Sequence, residues 1–482
     1  MFCYFLFYNN YYKRYITVNL REKEKVNMAT STQEHRLNMK EKISYGFGDC
    51  AANVYVAMAG TFLTAFYTDT VGIAAAAVGT MMLLARIFDG VTDLVMGAIV
   101  DKTKSKYGKA RPWVLWSAPF MCIGLILLFT VPSNLSSGGK LAYIYVTYIF
   151  MNCLVYTANN LPYNALLSRM TLNVQDRATT ASIRFVMTQF TTLIINAITM
   201  PLVAAAGWAV TSVIFGIIEV VMLLICFLFC KEHIGEDADA GTVKVENVPL
   251  NVALPSVLKN QYFYLQALMF LFLYIFVVAA GMSSAYFCNV VLQNPNLIGV
   301  LSSAQTIPAI IANFVNPSLV QKFGKRKMMI IGSALMIVGS CVIGLAGTTV
   351  PMIVVGIAIR GLGMGPIMSG IFAMTADVVD YGEWKTGVRS EGLINSCTSF
   401  GMKVGIGLGS AVGTGILAIG GYLEGTAPEL QPLSAINAIK FEIGYLGAII
   451  AAVCLVLIIL LNIDKNIKQI QADLEAKHAG NN

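Results

Sequence analysis

Long apolar runs, each about 20 residues or more and separated by short polar breaks, narrow the fold of this chain more than any other property. They fall near 43–69, 73–98, 112–132, 141–165, 180–206, 208–230, 262–288, 298–321, 327–347, 350–375, 392–421 and 437–462. Backbone in hydrocarbon finds no water, so it must bond to itself, and a helix of about 20 residues does so while crossing a bilayer. Turn-forming residues mark the breaks: Pro132-Ser133-Asn134, Gly138-Gly139, Asn294-Pro295-Asn296, Pro351 and Gly420-Gly421. The aromatic girdles and alternating pattern of a membrane β-barrel are absent. Of 482 residues, 56% are hydrophobic and 12% charged, against about 25% charged in soluble domains. That deficit excludes an ordinary soluble enzyme and a disordered chain.

Loop charge sets the orientation. With the N-terminus in the cytoplasm, the inside loops hold Lys102, Lys104, Lys106, Lys109, Arg111, Arg169, Arg177, Lys231, Lys244, Lys259, Lys322, Lys325, Arg326, Lys327, Lys385 and Arg389, and the outside loops hold Lys140 alone. The excess of Lys+Arg (33) over Asp+Glu (26) is therefore read as membrane anchoring, with no nucleic-acid partner. The ten cysteines fall mostly inside apolar runs, among them Cys122, Cys153, Cys226, Cys341 and Cys454, and read as small hydrophobes. His35, His233 and His478 lie outside the spans, which excludes a histidine relay or zinc site within the membrane.

An internal repeat divides the chain. Gly97-xxx-Asp101-Lys102 followed by Tyr107-Gly108-Lys109 recurs as Leu319-Val320-Gln321-Lys322 followed by Phe323-Gly324-Lys325-Arg326-Lys327. Two six-helix halves with matching basic loops describe a major-facilitator-type transporter. The expected fold is thus an all-α membrane protein, twelve transmembrane helices in two six-helix halves around a central cavity. The expected divisions are a cytoplasmic tail (1–42), an N-terminal bundle (43–230), a cytoplasmic linker (231–261), a C-terminal bundle (262–462) and a second cytoplasmic tail (463–482). Residues 1–27 do not match a signal peptide, and Arg21–Lys25 can be encoded by purines as a ribosome-binding site would be, so Met28 is expected to be the true start.

Charges inside the spans carry the functional reading, because each is costly in lipid. Asp89 and Asp93 are i and i+4 on one helix face, and two carboxylates that close repel unless a cation or proton lies between them. The pair reads as a coupling-cation site with Thr92 as a further oxygen ligand; the alternative is a structural ion pair with Arg86 or Lys403. Asn160 and Asn164 repeat the i, i+4 spacing beside Tyr156 and Tyr163, a combination suited to sugar hydroxyls and to the apolar sugar face, or else to interhelical hydrogen bonds. Arg184, Arg360 and Lys403 are buried cations, and Glu219 is expected in a structural or lipid-edge position. Gly401, Gly405, Gly409 and Gly413 read as a packing face.

Ser44-Tyr45-Gly46-Phe47-Gly48, Phe66-Tyr67-Thr68-Asp69, Ala85-Arg86-Ile87-Phe88-Asp89-xxx-Asp93, Trp113, and Asp380-Tyr381-Gly382-Glu383-Trp384-Lys385-Thr386-Gly387-Val388-Arg389 resemble the glycoside–pentoside–hexuronide:cation symporters, relatives of the melibiose permease. The resemblance covers roughly residues 40–470. It implies a cation site at Asp89, Asp93, Thr92 and Thr157 and matches Asn53, Asn160, Asn164 and Arg184 to sugar-site positions and Lys403 to a charged residue of the same span; with Tyr156 and Arg360 these form the expected substrate site. A cytoplasmic gating motif is expected at Asp101, Gly108 and Lys109 of the repeat and at Asp380, Tyr381, Gly382, Glu383 and Arg389 of the resembling segment. The melibiose permease has aspartates where this chain has Asn53 and Asn160, and a tryptophan at Asn164, which disfavours α-galactosides. With Arg184 and Arg360 left, the cavity is expected to be less hostile to an anion, and Gly48-Asp49-Cys50-Ala51-Ala52-Asn53 resembles the glucuronide carriers more than the melibiose branch, so a glucuronide or a xyloside-type pentoside is the expected substrate. The implied activity is symport with Na+ or H+ by alternating access in the bacterial inner membrane, with no cofactor, no catalytic residue, and a monomer in the lipid bilayer. An exporter of drugs or sugars with the same topology, a galactoside-type symporter and a non-transporting sensor are the alternatives.

Overall fold

In a computed structural model the described residues are 36–171, 173–233, 250–465 and 467–480; the proposed start at Met28 and most of the linker lie outside them. Among the described residues there is no strand. The apolar runs become helices. Helix α1 is Met39–Ala57, prolonged by π-helical turns Met58–Leu63 and Phe66–Thr70, and α2 is Ala75–Lys102. Then follow α3 (Arg111–Leu128), α4 (Ser137–Met170), α5 (Val174–Phe229), the short α6 (Leu250–Leu258) within the expected linker, and α7 (Gln261–Val291). The chain ends with α8 (Leu297–Phe323), α9 (Lys325–Leu345), α10 (Val350–Thr386), α11 (Glu391–Ile419), α12 (Leu433–Leu460) and α13 (Ile467–Gly480). Nine of the described helices are long and apolar enough to cross a membrane. Helices α1 and α2 are not among the nine; in α2, Arg86, Asp89, Asp93, Asp101 and Lys102 reduce the hydropathy.

Local chemistry sets the ends. Asn38 and Glu41 close a capping box on α1: the Asn38 side chain accepts from Glu41 N at 2.8 Å and the Glu41 side chain accepts from Asn38 N at 3.0 Å. Gly207 breaks α5 with φ 79°, a left-handed conformation that costs glycine little and other residues more. Packing is close where glycines of α9 and α10 face each other. A methyl group on Gly332 of α9 would lie 2.6 Å from the Gly363 carbonyl of α10. Gly332→Ala is therefore expected to cost about 1–3 kcal/mol, read as a lower Tm of the detergent-solubilised protein, with an unchanged Tm as the contrary result. Along α11, methyl groups on Gly401, Gly405 and Gly409 would meet carbonyls of α7, and one on Gly413 would meet Glu442, in accord with a packing face.

The N-terminal helices (to residue 233) and C-terminal helices (from residue 250) meet along three lines. Gly79 of α2 lies against Thr414 of α11 and Gly407 of α11 against Arg86, Gly299 of α8 lies against Ala197 of α5, and Gly281 of α7 approaches the Gly60 carbonyl of α1. Large apolar side chains such as Ile87, Val91, Phe314 and Leu345 are exposed.

The internal repeat has a three-dimensional counterpart. After α5, the Glu232 carboxylate accepts from the backbone N of Lys109, Ala110 and Arg111 at 3.1, 2.8 and 2.8 Å, and the Arg111 guanidinium donates to the Phe227 carbonyl. After α12, Asp464 accepts from Arg326 N at 3.0 Å, and the Arg326 guanidinium donates to the Ile458 and Ile459 carbonyls. In both places a carboxylate closes a helix N-terminus just after a left-handed glycine, Gly108 or Gly324.

Candidate functional site: a charged cluster beside an interhelical cavity

The i, i+4 spacing on α2 places Asp89 and Asp93 toward α4 and α11. Asp89 is 4% exposed. Its Oδ1 accepts from Thr157 Oγ1 of α4 at 3.1 Å, and its Oδ2 lies 3.6 Å from Arg86 Nη1 and 3.4 Å from Lys403 Nζ of α11. Lys403 Nζ also donates to Asp93 Oδ2, so one ammonium bridges both carboxylates. Two acids and two bases thus balance. Thr92 stands apart, its hydroxyl donating to the Asp89 carbonyl at 3.2 Å.

A second cluster lies one helix over. Arg184 Nη1 donates to Asn164 Oδ1 at 2.8 Å, and Asn164 Nδ2 donates to Asn160 Oδ1 at 2.9 Å. Arg184 Nε lies 3.3 Å from Asp49 Oδ2, which also accepts from Thr188 Oγ1 at 3.0 Å. Asn53 joins through its amide, which donates to the Asp49 carbonyl at 2.9 Å. Tyr163 stacks on Tyr45, with ring centroids 4.5 Å apart.

Between the N-terminal and C-terminal helices lies a cavity with lobes of about 630, 280 and 250 Å³, all bordered by Val277 of α7. Val56 and Gly60 of α1, Asn152 and Tyr156 of α4, and Thr192 and Asn196 of α5 line it. Each pair continues a helical row: Asp49, Asn53, Val56, Gly60 on α1; Asn152, Tyr156, Asn160, Asn164 on α4; Arg184, Thr188, Thr192, Asn196 on α5. The second cluster therefore lies on the same three faces as the cavity, toward the starts of α1 and α5.

A family model described as MFS/sugar transport protein matches residues 44–465. The chain belongs to the glycoside–pentoside–hexuronide:cation symporters of the major facilitator superfamily. The symporter is 35% identical to an isoprimeverose transporter of Lactiplantibacillus pentosus over 94% of this chain and 95% of that one. It is 30% identical to a glucuronide carrier protein homolog of Escherichia coli (strain K12) over 85% and 89% of the two chains. Among solved structures it resembles a proton dependent oligopeptide transporter (TM-score 0.63, 12% identity, 90% of this chain and 100% of that one) and a bacterial homologue of ferroportin in an inward-facing state (TM-score 0.61, 13% identity, 87% and 96%), a likeness of fold alone. The chain is a transporter and not an enzyme, and cation-coupled sugar symport is its activity.

The other expected residues of the symporter fall in three places. Arg360 is 1% exposed: its Nε and Nη2 donate to Gln305 Oε1 at 3.2 and 2.6 Å and its Nη1 to the Ile443 carbonyl at 3.0 Å, so it pins α8 to α12 at the cavity wall. Lys403 belongs with the acid pair and not with the asparagines. In the motif 380–389, Arg389 Nη1 bonds Glu383 Oε2 at 2.8 Å and Asp380 Oδ1 at 3.2 Å. Tyr381 packs edge-on to Tyr262, and Gly382 leaves room for Asn260, whose amide bonds the Val378 carbonyl. Gln471 and Trp384 tie α13 to the same segment through Asp380 and Asp473. Gly108 and Lys109 sit at the Glu232 carboxylate; the Asp101 side chain is outside the described residues.

Glu219, expected at a structural or lipid-edge position, is not at the lipid edge: it is fully buried, and neither carboxylate oxygen has a hydrogen-bond partner among the described residues. Asp49, Thr188, Gln305 and Glu232 were given no role from the sequence. For the first two a signal was present, since Asp49 and Asn53, and Arg184 and Thr188, share the i, i+4 spacing used to find Asp89 and Asp93.

Proposed function

We propose that the chain carries a sugar or glycoside into the cell together with Na+ or H+, the substrate being a glucuronide or a xyloside-type pentoside. The observation that carries this reading is the Asp89–Asp93 pair bridged by a single lysine beside the cavity. Lys403 acts as a tethered cation. When its ammonium leaves the pair, two carboxylates and Thr157 Oγ1 remain for the coupling ion: oxygen ligands for Na+, or one acid that takes a proton. Release of Lys403 and binding of the sugar are linked, and the coupling is reciprocal. Asn53, Tyr156, Asn160, Asn164 and Arg184 hold the sugar, and Tyr156 offers a ring to its apolar face.

The chain crosses the bilayer twelve times in two six-helix bundles, residues 43–230 and 262–462. The nine apolar helices, α1, α2 and the break of α5 at Gly207 support that count, and the Glu232 and Asp464 caps support the two-fold repeat. Both termini are cytoplasmic, supported by the loop lysines and arginines. The two bundles rock about the cavity, and the segments around Gly108 and 380–389 hold the cytoplasmic ends.

Uptake into vesicles tests the reading, with Na+ and H+ gradients imposed separately on labelled glucuronides, xylosides, galactosides and isoprimeverose, the sugar named for the 35% relative. Uphill accumulation of a glucuronide or pentoside under one gradient is expected. Accumulation under neither gradient, for any of these sugars, overturns the reading.

A further inference from the structure

We infer that Asp49 is a substrate-contacting, specificity-determining residue: by masking the charge of Arg184 it tunes the sugar site to uncharged glycosides and against hexuronides. This rests on the sugar-site reading above. Asp49 and Arg184 are partly accessible, with side chains 16% and 30% exposed. One carboxylate oxygen, Oδ2, takes both Arg184 Nε and the Thr188 hydroxyl. Its other oxygen receives no hydrogen bond from the described residues. Arg184 spends one terminal nitrogen on Asn164. The pair therefore presents a free acceptor beside a guanidinium whose charge is already balanced.

A sugar hydroxyl is donor and acceptor at once and can use both groups. A uronate carboxylate is acceptor only. At this site it meets a guanidinium already neutralised and a carboxylate that repels it, so the same pair that welcomes a hydroxyl disfavours an anion. Among the described residues, the other cations of the site and cavity are already committed. Arg86 and Lys403 are matched by Asp89 and Asp93, and the donors of Arg360 are committed to Gln305 and the Ile443 carbonyl in a side chain that is 1% exposed.

The test compares methyl xyloside with methyl glucuronide, in both anomers, by labelled uptake into vesicles under imposed Na+ or H+ gradients. The two rings share their stereochemistry and differ by the C5 carboxylate. The wild type is expected to favour the xyloside, and Asp49→Asn to move the glucuronide-to-xyloside ratio upward by about tenfold or more, because it unmasks Arg184. A ratio measured on one preparation does not depend on the amount of folded protein. The double variant Asp49→Asn with Arg184→Gln removes both charges and is expected to bring the ratio back toward the xyloside, which a mere folding defect would not do. Uptake by Asp49→Asn with the wild-type ratio, or a wild type that favours the glucuronide, overturns this inference while leaving symport standing. A wild type that accumulates neither sugar under either gradient overturns the symport reading and this inference with it.

Discussion

Asp93→Cys is expected to lose cation-driven accumulation by roughly a hundredfold while retaining downhill sugar exchange. The reason lies in the charge balance of the α2–α11 contact. Lys403 and Arg86 offset Asp89 and Asp93, and Lys403 touches both acids. With Asp93 gone, Asp89 alone faces two cations. The cluster carries an excess positive charge and repels a monovalent ion in a poorly solvated place, where a displaced charge is costly. Asp89→Cys is expected to do the same and also to strip Thr157 Oγ1 of its acceptor. Sugar counterflow, which needs no gradient, should persist because Asp49, Asn164 and Arg184 are untouched. Uphill accumulation that survives in both single variants would remove the cation site from this pair.

Asp69→Asn is expected to open the end of the molecule opposite the basic loops. There the Asp69 carboxylate of α1 accepts from Tyr422 Oη at 2.7 Å, Thr68 Oγ1 at 2.8 Å and Asn289 Nδ2 of α7 at 3.1 Å. Gly425 N bonds the Thr68 carbonyl, Thr68 Oγ1 lies 2.9 Å from Tyr286 Oη, and Glu424 accepts from Ala75 N, the first residue of α2. This one carboxylate thus gathers groups from α1, α7 and the α11–α12 connection. Hydrogen bonds to a charged group contribute about 1.5–3 kcal/mol each, so neutralising it should shift the closed state toward opening by tenfold or more. Cys288, fully buried next to Asn289, is the natural reporter. Its alkylation by a membrane-impermeant maleimide, followed at the level of the Cys288 peptide, should accelerate by about tenfold. An unchanged rate would mean that this contact does not hold the end closed.

The helical spans were legible because hydrocarbon leaves the backbone one economical solution, and an apolar run of sufficient length announces it. Asp89 and Asp93 were legible for a related reason: a charge within such a run stands out, and i, i+4 spacing fixes the shared face without further knowledge. Thr157 came from the resemblance alone, and its bond to Asp89 joins residues 68 apart. Arg360 and Asp49 mark the other limit. Arg360 reads as a cavity cation, yet the fold spends its donors on Gln305, 55 residues earlier, and on a carbonyl 83 residues later. Asp49 lies in a glycine-rich stretch near the start of a span, where an acid looks like an end residue until Arg184 and Thr188 meet it from α5.

By itself, the sequence determined that this chain lives in a membrane, that it repeats a basic motif about halfway along, and that two carboxylates share one face of a helix within it. These follow from periodicity and composition, which act along the chain. Tertiary structure alone decided which cation answers which acid: Lys403 for both Asp89 and Asp93, the latter 310 residues away, and Asp49 for Arg184. In a low-dielectric interior the energy of a charge is set by its neighbours within a few ångströms, and those neighbours come from helices that only packing brings together.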